Sequence, residues 1–138
     1  MKVLAFSAAA RAACLPDPPS DGGSVVCTGT DSTGFDGSGA DDLTITTGAA
    51  GVVELDDSGG LDSAILVEDN SSVEIGTTAT VTVTQDNGFG IRGDDDNFVD
   101  NAGTIVLDAD GARAISLDEN TTGVLPNGAV NSGLIRIN

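Results

Sequence analysis

Histidine, tryptophan and tyrosine are missing from all 138 residues, and phenylalanine occurs four times. Each absence closes off some chemistry. Without histidine, neither a Ser-His-Asp nor a Cys-His nucleophilic arrangement can be built. Two cysteines without histidine are too few for a structural zinc site. Without tryptophan and tyrosine there is no material for the aromatic platforms that usually line sugar-binding clefts. Positive charge is nearly as scarce, since five Lys and Arg face 22 Asp and Glu for a net −17. Lys2 and Arg11 fall in a leader-like stretch, and without them the balance is 3 − 22 = −19. Such a surface repels phosphates and anionic headgroups, so nucleic acid is not an expected partner. It keeps the chain soluble and fits high-salt adaptation equally well. No apolar run approaches the length of a transmembrane helix.

Val, Ile, Leu and Ala must therefore fill any core. Nineteen glycines accompany many Asp, Asn, Ser and Thr, while helix formers such as Lys, Gln and Arg are rare. That balance favours many short strands joined by turns. Short apolar alternations recur from Leu43 onward: LTIT (43–46), VVEL (52–55), AILVE (64–68), VEI (73–75), ATVTV (79–83), TIVL (104–107), AISL (114–117) and LIRI (134–137). Ser24 to Thr28 reads as an earlier strand. Nearly every gap carries Gly, Asn or Asp, and no window holds a helical period over a helix's length.

The N-terminus shows Lys2, the apolar run VLAFSAAA and Ala10-Arg11-Ala12, which reads as a short secretory signal over residues 1–12, short enough to be the tail of a longer one. Arg11 stands three residues before Cys14, where a lipid anchor would want an apolar side chain. In an exported chain, Cys14 and Cys27 read as one disulfide.

Imperfect repeats connect the apolar runs. NAGTIVL (101–107) matches NSGLIRI (131–137) at an offset of 30, and GFGI (88–91) matches ARAI (112–115) at 24. Leu43 and Ile65 stand 22 apart. These offsets fall in the range of one solenoid coil, which cannot bury its apolar residues alone but can when stacked. A narrow aliphatic interior makes the lack of aromatics intelligible, and Gly, Asn and Asp suit tight corners. An antiparallel sandwich fits the strand count but does not explain Asn-Ala/Ser-Gly before two matching strands.

The segment GGSVVCTGTDSTGF (22–35), followed by LTIT, resembles the start of an autotransporter passenger domain. Asn-x-Gly-x-Ile, with Gly-Ala-Arg-Ala-Ile following, resembles its later coils. The resemblance spans residues 13–138. It implies a right-handed parallel β-helix on the surface of a Gram-negative bacterium, tethered by a C-terminal outer-membrane barrel. No barrel follows within these residues, and LIRIN stands in mid-coil, which points to a fragment or a truncated product. The expected architecture is all-β: a right-handed parallel β-helix of about four to five coils, with a cap over 13–42 pinned by Cys14–Cys27 and coils over 43–138.

Candidate sites are few. Arg92 beside Asp94, Asp95 and Asp96 is the one local cluster of the kind used by pectate-lyase-like β-helices, and a carboxylate pair for glycoside hydrolysis is conceivable in so acidic a chain. Fold analogy does not carry function, and no catalytic residues are expected. Calcium is the one candidate cofactor: GDDDNFVDN (93–101) offers Asp94, Asp96 and Asp100 as hard oxygen ligands, without the EF-hand or nonapeptide pattern. Asp36, Asp41 and Asp42 form a weaker cluster. Turn chemistry accounts for such acids without a ligand, as it does for Asp108, Asp110 and Gly111. Arg92-Gly93-Asp94 spells the integrin-binding tripeptide, with a tight turn and an Arg92–Asp pair as the plainer reading. Leu134, Ile135 and Ile137 form an apolar rung suited to end-to-end association. The expected function is that of a secreted or surface-exposed passenger segment, structural or adhesive and non-catalytic, with host-cell or matrix surfaces as partners. The alternative is a calcium-binding or carbohydrate-active solenoid using loop 93–100.

Overall fold

A computed structural model describes residues 13–48, 52–55, 61–118 and 127–138. The expected signal segment, 1–12, lies outside them. The described residues form fifteen short strands and no helix. β1 (Ala13–Leu15) precedes a short-stranded first turn of β2 (Ser24–Thr28), β3 (Thr30–Asp31) and β4 (Phe35–Asp36). The second turn is β5 (Thr44–Thr47), β6 (Val52–Leu55) and β7 (Ser63–Val67). The third is β8 (Ser72–Ile75), β9 (Thr80–Val83) and β10 (Phe89–Gly93), and the fourth β11 (Phe98–Asn101), β12 (Thr104–Leu107) and β13 (Arg113–Leu117). β14 (Gly128–Asn131) and β15 (Leu134–Ile137) supply two sides of another.

Every third strand stacks on the same face. The first face is β1-β2-β5-β8-β11-β14, the second β3-β6-β9-β12-β15 and the third β4-β7-β10-β13. All pairs are parallel except β1–β2. The chain is therefore a three-sided parallel β-solenoid. Three turns carry strands of four or five residues on every face, slightly different from the four to five coils expected. Corner loops account for the difference, because they lengthen a turn without adding a strand: Ser24 pairs with Thr44 twenty residues on, but Asn101 with Asn131 thirty residues on. Stacking begins at Ser24, upstream of the expected Leu43, so the cap beyond the stack is short.

In-register columns of aliphatic side chains fill the interior. Val25, Ile45, Val73 and Val99 stack on the first face, Val81 and Ile105 on the second, and Phe35, Ile65 and Ile91 on the third, all buried. Ile115 continues the third column, partly buried. The strands lie about 4.8 Å apart along the stack, so each branched side chain rests on its counterparts above and below. The offset of 30 is realised as Asn101 opposite Asn131 and Leu107 opposite Ile137, and that of 24 as Ile91 opposite Ile115. The spacing of 22 is not a repeat. Ile65 stacks between Phe35 and Ile91 on the third face, whereas Leu43 sits in the corner before β5, where its N–H donates to Ser71 Oγ at 3.1 Å.

At the N-terminal end, β1 lies antiparallel on β2 with Cys14 opposite Cys27, and the two form a buried disulfide. They stand only thirteen positions apart in the sequence. Closing a loop of that size restricts the unfolded chain and stabilises the fold by about 3 kcal/mol. Melting with and without reductant, or of Cys14→Ala/Cys27→Ala, is expected to show that loss, with hydrogen exchange accelerated first in β1 and β2.

Candidate functional site

The acidic clusters collect at two corners. Before β2, β5, β8 and β11 of the first face the chain passes through one left-handed residue: Gly22 (φ 69°), Asp42 (57°), Asn70 (55°) and Asp96 (59°). Glycine, asparagine and aspartate tolerate that conformation best. An aspartate precedes each one: Asp21, Asp41, Asp69 and Asp95. The N–H groups of Gly22, Asp42 and Asn70 donate to the carbonyls of Asp41, Asp69 and Asp95 one turn on, at 2.9, 3.0 and 3.0 Å. The N–H groups of Asp41 and Asp95 donate back to the carboxylates of Asp21 and Asp69, at 3.2 and 3.1 Å. Backbone and side chain thus form a hydrogen-bonded ladder up the corner. The corner before the third face repeats the device with Gly34, Asn87 and Gly111 left-handed. There Asn87 N–H donates to Asp110 C=O at 2.8 Å, and Asp110 N–H to Asp86 Oδ1 at 3.0 Å.

This ladder accounts for two of the three consecutive acids at 94–96. Asp96 is the left-handed residue and is buried, and Asp95 is the rung between Asp69 and Asn70. Asp94 stands outside it. Gly93 is in register with Val67 and Leu117, so Glu68, Asp94 and Asp118 follow one another up the stack, and Asp118 N–H donates to Gly93 C=O at 2.9 Å. The Asp94 carboxyl is raised above its ordinary 3.8, first by loss of hydration and then by the charges of Asp118, Asp69 and Glu68, against the opposing pull of Arg92. A raised folded-state pKa stabilises the fold when the group is protonated. That contribution is full below pH 3.8 and disappears as pH rises through the higher folded value. Acidification toward pH 3.8 is therefore expected to recover that contribution, and Asp94→Asn to raise the melting temperature at pH 7 and flatten the dependence. A melting temperature insensitive to Asp94→Asn would remove this assignment.

Asp94, Asp96 and Asp100 do not converge. Asp100 faces outward from the first sheet in register with Glu74, away from the corner that holds the other two. Among the described residues no group of three or more His, Cys, Asp or Glu side chains is arranged to hold a metal ion. In the weaker cluster, Asp36 Oδ1 accepts from Ser38 N–H at 2.9 Å, a turn within its own loop, while Asp41 and Asp42 belong to the ladder.

Arg92-Gly93-Asp94 runs from the end of β10 into the corner and is no separate loop. Arg92 pairs with Asp62 at 2.8 Å, not with its neighbouring aspartates, because Asp62 precedes β7 in the turn alongside. Its guanidinium lies 5.4 Å from the Phe89 ring centre, and that of Arg113 lies 5.2 Å away. Gly93 is buried, and a Cβ there would come within 2.7 Å of Asn97 Nδ2. The glycine of the tripeptide thus has a packing reason.

Two inward asparagines escaped sequence reasoning. Asn101 is fully buried, accepts from Gly103 N–H at 3.1 Å and donates to Asn131 Oδ1 at 2.6 Å. Asn97 is fully buried and accepts from Ser71 N–H at 2.7 Å, while its own N–H donates to Asn127 Oδ1 at 2.6 Å. The 30-residue repeat marks Asn101 and Asn131 as equivalent; nothing in it says that both point inward. No protein-family model, curated protein or solved structure matches the chain. The fold defines a class, the disulfide-capped parallel β-solenoid.

Proposed function

We propose that this chain is a rigid, exported scaffold that acts at a bacterial surface or in the surrounding medium, with a structural or adhesive role and no catalysis of its own. The observation that carries the proposal is the stack itself, with its cap joined by Cys14–Cys27. Disulfides form and persist in oxidising compartments, which supports export. A parallel stack of this kind presents long, regular outer faces, the type of surface on which repeat proteins bind extended partners. The clustered acids at the corners hold the stack together and keep its outside hydrated. The resemblance of residues 22–35 and of the Asn-x-Gly-x-Ile repeats to autotransporter passenger domains supports the same reading and suggests host-cell or matrix surfaces as partners. The experiment is retention of the oxidised, labelled chain on cultured cells and on matrix-protein coatings at micromolar concentration. Saturable retention that survives Arg92→Ala is expected, since Arg92 is engaged with Asp62. Absence of retention on every surface would remove the adhesive role.

A further inference from the structure

Phe98 points outward from the first face and is 44% exposed. Alternation along β11 puts Asp100 on the same outer surface, with Val99 buried between the two. The in-register neighbours of Phe98 are Ser72 on one adjoining turn and Gly128 on the other. Strands pair with β11 on both sides, so the ring is exposed because its neighbours are small and not because an edge is open. Of the three phenylalanines among the described residues, Phe35 is buried and Phe89 carries the guanidiniums of Arg92 and Arg113. Among them Phe98 alone is exposed with no guanidinium against its ring.

Asp100 lies opposite Glu74 one turn away, and both are exposed. Among the described residues neither carboxylate has a hydrogen-bond donor or an ion-pair partner. Ionised carboxylates only accept, so the pair calls for a donor, and a cationic one relieves its like charges. The face of an aromatic ring also attracts a cation. Ring and carboxylates therefore suit the same group, a positively charged side chain. The net −17 draws basic partners over long range and repels acidic ones. Spacing adds a shape. Phe98 and Asp100 stand two residues apart on a strand, about 6.6 Å, which is also the separation of alternate side chains in an extended peptide. A Lys or Arg can lie over the ring while another, two positions on, reaches between Asp100 and Glu74.

We propose that the outer first face around Phe98, Asp100 and Glu74 is a docking surface for an extended basic polypeptide segment with Lys or Arg at alternate positions. Phe98 is the anchor, and the two carboxylates select the sign of the partner and fix its register. A neutral glycan would also use a ring beside carboxylates and hydroxyls, but it gains nothing from the net charge. The inference goes beyond the adhesive reading and does not rest on it, since a basic segment can be bound in solution by a chain that no cell or matrix coating retains.

Fluorescence anisotropy of a short labelled peptide alternating Lys and Ser, titrated with the oxidised chain, tests it. The expected result is saturable binding that weakens roughly tenfold or more between about 0.05 and 0.5 M NaCl. Phe98→Ala, which leaves the charge unchanged, is expected to weaken binding about threefold or more, and Phe98→Trp to strengthen it. Asp100→Asn is expected to weaken it about threefold. Asp108→Asn removes the same charge from the corner after β12 and is expected to leave the affinity nearly unchanged. All four side chains replaced or introduced lie at exposed positions, so circular dichroism and melting should match the parent chain. Absence of binding at low salt overturns the proposal, as does an unchanged affinity in Phe98→Ala. Equal losses in Asp100→Asn and Asp108→Asn would mean diffuse attraction without a site and overturn it too. So would equal binding of a Gln–Ser peptide, or tighter binding of a neutral dextran oligosaccharide that Phe98→Ala abolishes.

Discussion

Ile91→Ala is expected to lower the free energy of unfolding by about 4 kcal/mol, within the range for burying and then deleting a branched aliphatic side chain. Ile91 has no solvent exposure and stacks between Ile65 and Ile115 on the third face. Removing it subtracts more than its own transfer free energy. The neighbours above and below are held by backbone ladders at fixed spacing and cannot collapse into the void. In a solenoid each turn contacts only its neighbours, so stability is nearly a sum of turn-to-turn interfaces, and one substitution weakens two of them. A total stability on the order of 5–15 kcal/mol leaves little reserve. Urea titration should show the midpoint shift, and hydrogen exchange should place it at β7, β10 and β13 first. Ile115→Ala is expected to produce a smaller loss, because Ile115 is only partly buried. Equal losses at the two positions would mean that stacking depth does not set the energy.

Gly103→Ala should destabilise by roughly 3 kcal/mol, at the upper end of overpacking effects. A Cβ at Gly103 would collide with the carbonyl oxygen of Gly76 and lie 2.6 Å from that of Ala79. These are backbone atoms of the preceding turn, so no side chain can move aside. The corner must open, and with it the hydrogen bonds from Gly103 N–H to Asn101 Oδ1 and from Thr104 N–H to Ala79 C=O. Gly48, at the same corner two turns earlier, is the control. A Cβ there would come no closer than 3.3 Å, to Cγ2 of the exposed Thr28 side chain, so Gly48→Ala should change stability by less than about 1 kcal/mol. Thermal melts of the two variants side by side decide the matter.

Much of this was legible in the order of residues. VVEL, TIVL and LIRI coincide with β6, β12 and β15. Val, Ile and Thr alternating with polar neighbours leave a half-buried strand as the easiest way to hide the apolar set. The Asn-x-Gly repeat placed Asn131 opposite Asn101 before any coordinates. Besides the very short β1, β3 and β4, the sequence pattern does not mark β11 (FVDN) and β14 (GAVN), which carry Asp, Asn or Gly where a strand is expected to show branched carbons. They are strands because a neighbour's backbone offers a ladder, a condition set by residues some thirty positions away. The acidic triplet is divided by the same kind of long-range contact. Asp94, Asp95 and Asp96 look like one cluster in sequence, but stacking sends Asp95 to Asp69, turns Asp96 into the corner and leaves Asp94 beside Glu68 and Asp118.

Composition and local pattern alone determine that this is a chain of short β-strands with an aliphatic interior, acidic corners and a cysteine pair near one end. These follow from what each residue does to its own backbone and from how few large side chains need housing. Register, the partner of each aspartate and the inward turn of Asn97 and Asn101 were decided only by the tertiary structure. A carboxylate's hydration, an amide's partner and a glycine's clearance depend on atoms one turn away along the stack. The chain brings those atoms close only after twenty to thirty residues of corner and strand have closed the turn.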